Sequence, residues 1–189
     1  MYISGLRKEQ NGLLFVNILI VYLILVPLAV LLHEIGHALG AVLLTKQTRA
    51  HVYLGPHVPE NAAHFRLGRM HFYLRLATFG YCSSLDKDGK PSTEKMSPSQ
   101  RIAFYAGGPV MSLIFALISL TASSLLTGQL FTLMQAFTIV NLFTFLSTSL
   151  PYIYPKWRRG LAGTPTDGLR IKRVWQNLSE ERKQRRKAV

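Results

Sequence analysis

From Leu13 to Leu32, and again from Ile102 to Leu150, the chain carries no acidic, basic or histidine side chain. Nothing else constrains its fold so strongly. A membrane-crossing helix needs about 20 apolar residues, and only helices or closed barrels satisfy every backbone N–H and C=O in hydrocarbon. Average composition hides this segregation: 49% of the 189 residues are hydrophobic, and the formal charge is +13. Nearly all Lys and Arg lie outside the two apolar blocks. The length suits one domain. A secretory signal peptide would show a short apolar run followed by a small-residue cleavage site. Here the first run continues into "HEIGH", so it reads as a retained span.

The expected fold class is a mainly α membrane protein, with about three transmembrane helices and a small membrane-associated β-hairpin or sheet between the first and second. The first span is expected over 13–44, after an extracytosolic N-terminus at 1–12. At 1.5 Å per residue it measures roughly 48 Å, longer than the hydrocarbon is thick, so it must tilt or break, and Pro27 is a natural kink. The second block divides into spans at 101–127 and 129–150, with a tight turn at Thr127, Gly128 and Gln129 and a stop at Pro151. A polar segment at 45–100, a re-entrant loop at 151–170 and a basic tail at 171–189 complete the chain.

Lys and Arg number nine over 45–101 and eleven over 156–187, against only Arg7 and Lys8 before the first span. Excess positive charge marks cytosolic segments, which puts the central stretch and the tail on the cytosolic side. Three spans are consistent with that, and "HEIGH" then lies toward the cytosolic end. The tail "KRVWQNLSEERKQRRKAV" follows a membrane segment closely, so anionic headgroups are its expected partner rather than nucleic acid.

Between the first two spans, "RAHVYLG", "HFRLGR" and "MHFYLRLATFGY" are short aromatic-rich runs parted by Gly, Pro and Asn, which favours strands and a hairpin. Met70, Phe72, Leu74 and Leu76 would share one face. His51, His57, His64 and His71 have irregular spacing and read as ordinary strand or loop histidines. The single Cys82 rules out an intrachain disulfide and a multi-cysteine zinc site, and reads as a loop thiol.

The costly residues are those inside the first span. In a helix, positions i and i+4 stand one above the other, so His33 and His37 can meet on one ion with Glu34 beside them. In H-E-x-x-H the two imidazoles bind zinc, and the carboxylate, not itself a ligand, takes a proton from water. Ionisable groups at membrane depth usually line a functional interior. Gly36 and Gly40 form a face that admits a second helix closely. A catalytic zinc takes three protein ligands. Glu60, Asp86, Asp88 and Glu94 lie in the polar stretch, and Glu9, Glu180 and Glu181 in charged ends. Asp167, in "GTPTDGLRI", remains; its other reading is a helix cap, a role that suits Thr166 and Asp167 alike.

In order, "HEIGH", "AGGPVMS" (106–112) and "PTDG" (165–168) resemble the site-2 protease family of intramembrane zinc metalloproteases. The resemblance implies one catalytic zinc ion on His33, His37 and Asp167, with Glu34 as the base. Family members often carry an Asn shortly after the Gly-Pro, where this chain has Ser112. They also run from Asn-x-x-Pro to Asp-Gly within a short segment. Here "NLFT" at Asn141 lacks the proline, and "TSLP" (148–151) is an alternative register. Asn141 is thus either a polar stabiliser beside the metal or an interhelical hydrogen-bonding group.

The implied activity is hydrolysis of peptide bonds in membrane-spanning or membrane-anchored substrates, with the hairpin clamping an extended substrate strand. The alternative is a catalytically inactive zinc-binding membrane protein that holds or escorts a partner. A pore would spread its polar residues along several spans, whereas here they gather at one level.

Overall fold

A computed structural model describes residues 12–56, 63–158 and 160–187. The N-terminal 1–11 stretch, His57 and Glu60 lie outside the described residues. Three helices are long and apolar enough to cross a membrane: α1 (Gly12–Leu44), α2 (Pro98–Ser123) and α3 (Gly128–Ser149). A polar helix, α4 (Asp167–Lys187), follows. Four strands lie between α1 and α2, namely β1 (Arg49–Leu54), β2 (Ala63–Leu67), β3 (Met70–Leu74) and β4 (Gly80–Leu85).

The irregularity expected at Pro27 takes the form of a π-helical turn over Val21–Leu25, where the Val26 N–H reaches back to Val21 O. Proline has no N–H to donate, and its ring crowds the carbonyl one turn earlier; the wider turn just ahead of it absorbs that misfit. α2 starts earlier than expected, because Ser97 forms a complete capping box. Its Oγ accepts from Gln100 N at 3.3 Å, while Gln100 Oε1 accepts from Ser97 N at 2.9 Å. Gln100 Nε2 also donates to Leu44 O at 2.7 Å, tying the start of α2 to the end of α1. The turn expected at 127–129 closes sooner, and α3 already begins at Gly128, whose φ of 60° reverses the chain.

The small residues set how closely α1 and α2 cross. A Cβ on Gly36 would collide with the Gly107 carbonyl, one on Gly107 with the Gly36 carbonyl, and one on Gly40 with Ala103. Backbones that approach this closely gain van der Waals contact that bulkier residues forbid. Between α2 and α3, Ser119 and Thr138 hydroxyls meet at 2.9 Å, and Gln135 donates to Ser123 Oγ at 2.7 Å.

The small sheet expected in the central stretch is present and has four strands in the order β2-β3-β1-β4. The β2–β3 hairpin is antiparallel, β1 and β3 run parallel, and β4 pairs antiparallel with β1. One face buries Ala50, Val52, Phe72 and Cys82 with Ala38, Ala41 and Val42 of α1 and Phe104 of α2. Cys82 is therefore a buried strand residue and not a loop thiol. Met70, Phe72 and Leu74 alternate as expected; Leu76 lies beyond the strand and is exposed. On the opposite face the histidines are stacking partners. His51 and His71 rings lie 4.7 Å apart, and His64 and Tyr73 4.4 Å apart.

After α3 the chain leaves and returns, and a small ladder controls the return. Tyr154 N donates to Thr164 O at 2.9 Å and Thr166 N to Tyr152 O at 3.0 Å, with a bridge between Ile153 and Pro165. The segment expected as a re-entrant loop to 170 thus ends at Thr166. The expected tail is helical from Asp167 to Lys187.

Candidate metal centre

His33 and His37 stand one turn apart on α1, both buried. Each ring is fixed through its Nδ1. Phe104 O, which can only accept, lies 2.7 Å from His37 Nδ1, so that nitrogen carries its hydrogen and the neutral ring's Nε2 is a bare acceptor. His33 Nδ1 lies 2.9 Å from Ser112 Oγ, within the Gly-Pro segment of α2. Both Nε2 atoms turn inward, 3.2 Å apart. Gly108 leaves them room, since a Cβ there would stand 2.7 Å from His33 Nε2.

Asp167 reaches the same point from the other end of the chain. Thr166, almost fully buried, donates from Oγ1 to Leu150 O at 2.6 Å and caps α4 by accepting from Leu169 N at 3.3 Å. The capping role open to either residue therefore falls to Thr166, which leaves the Asp167 carboxylate free for the histidines. Gly168 completes the turn, because a Cβ there would collide with Ser149 O. Asp167 Oδ2 lies 3.3 Å from His33 Nε2 and 3.4 Å from His37 Nε2.

These distances fit a metal ion. Donor atoms about 2.0–2.1 Å from a tetrahedral zinc stand about 3.3–3.4 Å from one another. Two imidazole lone pairs and a carboxylate oxygen facing one another this closely repel unless a cation or proton lies among them. Burial works against ionising Asp167, but a histidine carrying a proton at Nε2, in the place a metal ion would take, donates to the carboxyl and holds it below the usual carboxylate range. This point in the fold therefore favours positive charge. Among the described residues it is the one group of three or more such side chains whose ligand atoms converge. Metal–histidine sites commonly anchor the second ring nitrogen in the way Phe104 O and Ser112 do here.

Glu34 is buried beside this group and faces the same open cavity. It rests against β4, and Gly80 makes that possible, because a Cβ there would stand 2.7 Å from Glu34 Cγ. Asn141 is fully buried on α3; its Nδ2 donates to Phe137 O at 2.9 Å, and its Oδ1 has no hydrogen-bond partner among the described residues. Asn141 does not line the cavity, whereas Thr148, from the alternative register, does. Sequence reasoning missed Gly80, Tyr154, Arg158 and Arg170 in the cavity wall. No local motif marks them, although the length of the "LPYIYPKWRRGLAGT" excursion was a signal that it had something to line. Burial, with Asp167 nearby, pushes the Tyr154 hydroxyl well above its ordinary value, so it stays protonated. Burial, reinforced by Glu34 and Asp167, does the same to the Cys82 thiol.

The outer edge of β4 also reaches the cavity. Ser84 O, facing away from β1, accepts from Ser92 N at 2.8 Å, which closes one end of that edge. Gly80 and Cys82 share its parity, and their outward backbone groups have no strand partner among the described residues. Both line the cavity.

No curated protein compared with the chain matches it. A family model does, over residues 21–184, and it spans the HEIGH helix, the Gly-Pro helix and the Asp-Gly turn whose side chains converge here. The chain belongs to Peptidase family M50, the site-2 protease family.

Proposed function

We propose that this chain is an intramembrane zinc metalloprotease that cleaves membrane-spanning or membrane-anchored proteins. The observation that carries this reading is the convergence of His33 Nε2, His37 Nε2 and Asp167 Oδ2 at 3.2–3.4 Å, with Glu34 facing the same cavity. These three residues would hold the ion. When bound, zinc supplies Lewis acidity toward the scissile carbonyl and makes water a nucleophile near neutral pH. Glu34 would take a proton from the attacking water at its carboxylate and pass it to the leaving amine. Phe104 O and Ser112 keep the imidazoles in register.

A substrate helix hides its amides in its own hydrogen bonds, so it must unwind before cleavage. The free edge of β4 at Gly80 and Cys82 suits an added extended strand, and it replaces the β2–β3 hairpin as the clamp in this reading. In this reading the basic α4 helix, with Trp175 exposed on it, meets anionic headgroups on the cytosolic side, and the active site opens toward that side; the positive charge of α4 supports this.

Glu34→Gln keeps the size and removes the base. Purified protein carrying it should retain one zinc per chain and lose cleavage of single-span substrates by at least about a thousandfold. Turnover at the wild-type rate would sink the assignment. Wild-type protein that binds zinc yet cleaves no membrane peptide would point to the non-catalytic alternative.

A further inference from the structure

Two guanidinium groups line the cavity beside the metal-binding residues. Arg170 sits one helical turn beyond Asp167; its Nε donates to Pro165 O at 3.2 Å, and its guanidinium lies 5.5 Å from the Tyr105 ring centre. Arg158 lies on the excursion, 5.4 Å from the centre of the Tyr154 ring. Backbone and aromatic contacts thus orient both groups without neutralising them. Neither joins an ion pair among the described residues. Among the described residues, the acids in the cavity wall are Glu34 and Asp167, both used by the proposed chemistry. Val30, Phe79, Phe143 and Leu161 make much of the remaining wall apolar.

Guanidinium does not lose its proton, and its planar fork matches the two oxygens of a carboxylate. With Nε of Arg170 already engaged, its terminal nitrogens remain for such a pair. We propose that Arg170 and Arg158 form a subsite for a substrate carboxylate a few residues from the scissile bond, supplied by an Asp or Glu side chain or by a free C-terminus. This rests on the peptidase reading above. A peptide carboxylate is favoured over a lipid phosphate because the pair shares one cavity with Glu34, the metal-binding residues and the free β4 edge, where a bound peptide chain has to lie. The preferred substrates then carry an acid at or near the membrane boundary, next to an otherwise apolar segment.

The test uses the full-length, zinc-loaded protein in phosphatidylcholine vesicles. Its probes are synthetic apolar peptides carrying Asp or Asn at each central position in turn, each with a free or an amidated C-terminus. Cleavage gives kcat and KM, and fluorescence anisotropy with Glu34→Gln protein gives binding. At one or two neighbouring positions, or at the terminus, the carboxylate form should bind and react about tenfold better than its neutral twin, chiefly through KM. Arg170→Gln and Arg158→Gln should each shrink that ratio, and Arg170→Lys should keep part of it. The amidated series separates a side-chain acid from a terminal one.

Equal binding and cleavage of all twins would overturn the proposal. So would an Arg170→Gln variant whose kcat falls equally on every peptide, which would put the guanidinium at the reacting carbonyl. Loss of the preference when phosphatidylglycerol is added would assign the subsite to lipid headgroups. Carboxylate-selective binding without any cleavage would keep the subsite and remove the peptidase reading. The wild-type comparison needs no variant, so it stands even if Arg170→Gln fails to fold.

Discussion

Four glycines do at the metal centre what no other residue could. Gly107 and Gly108 bring the α2 backbone onto α1 and leave space at the imidazole nitrogens, Gly80 lets Glu34 lie against β4, and Gly168 lets the first turn of α4 meet the end of α3. Each is a close approach that a single methyl group would block. Gly168→Ala tests the last of these. Its Cβ has no room beside Ser149 O, a backbone atom that cannot swing aside, so Asp167 must move. Zinc affinity should fall by about 10- to 100-fold, the usual cost of disturbing a supporting contact, as measured by competition with a chromophoric chelator. Unchanged affinity would show that Asp167 is not a ligand or that the turn yields freely.

At the scale of elements, β4 and the capped start of α2 make separate predictions. If substrates add to the β4 edge, their backbone amides matter at every second position. N-methylation of those amides in a model peptide should therefore cut cleavage about tenfold or more, while methylation at the intervening positions should have little effect. An effect independent of position would rule out strand addition. Ser97→Ala removes the side-chain half of the capping box and should cost about 1 kcal/mol, read as a lowered thermal midpoint in detergent. Ser97 does not line the cavity, so the substitution should not alter zinc stoichiometry.

Across the whole molecule, the candidate ligands join residues 134 positions apart, on α1 and at the start of α4. An ion bound only by the folded chain stabilises it by mass action, and here it would tie the return of the chain to the first span. Chelation should lower the thermal midpoint by several degrees, and zinc should restore it. His37→Ala should unfold at the same temperature with or without chelator. A chelator effect that persisted in this variant would place the stabilising metal elsewhere.

The three spans, the HEIGH helix and the approximate place of the sheet were legible in the sequence because each rests on local pattern. Absence of charge over about 20 residues forces a membrane helix, and the i, i+4 spacing aligns His33 and His37 whatever surrounds them. Asp167 was legible only as a candidate, since Thr166 and Asp167 are equally good helix caps when taken alone. The hydrogen bonds of Thr166 to Leu150 and Tyr152 resolve that choice, and they lie across an excursion whose path no local preference dictates. The sheet order, the free edge beside Glu34 and the two arginines in the cavity wall likewise depend on which segments meet. Periodicity is a property of neighbours along the chain. The closure of the metal centre is a property of backbones 134 residues apart, held together by glycines that permit contact and a threonine that fixes its geometry.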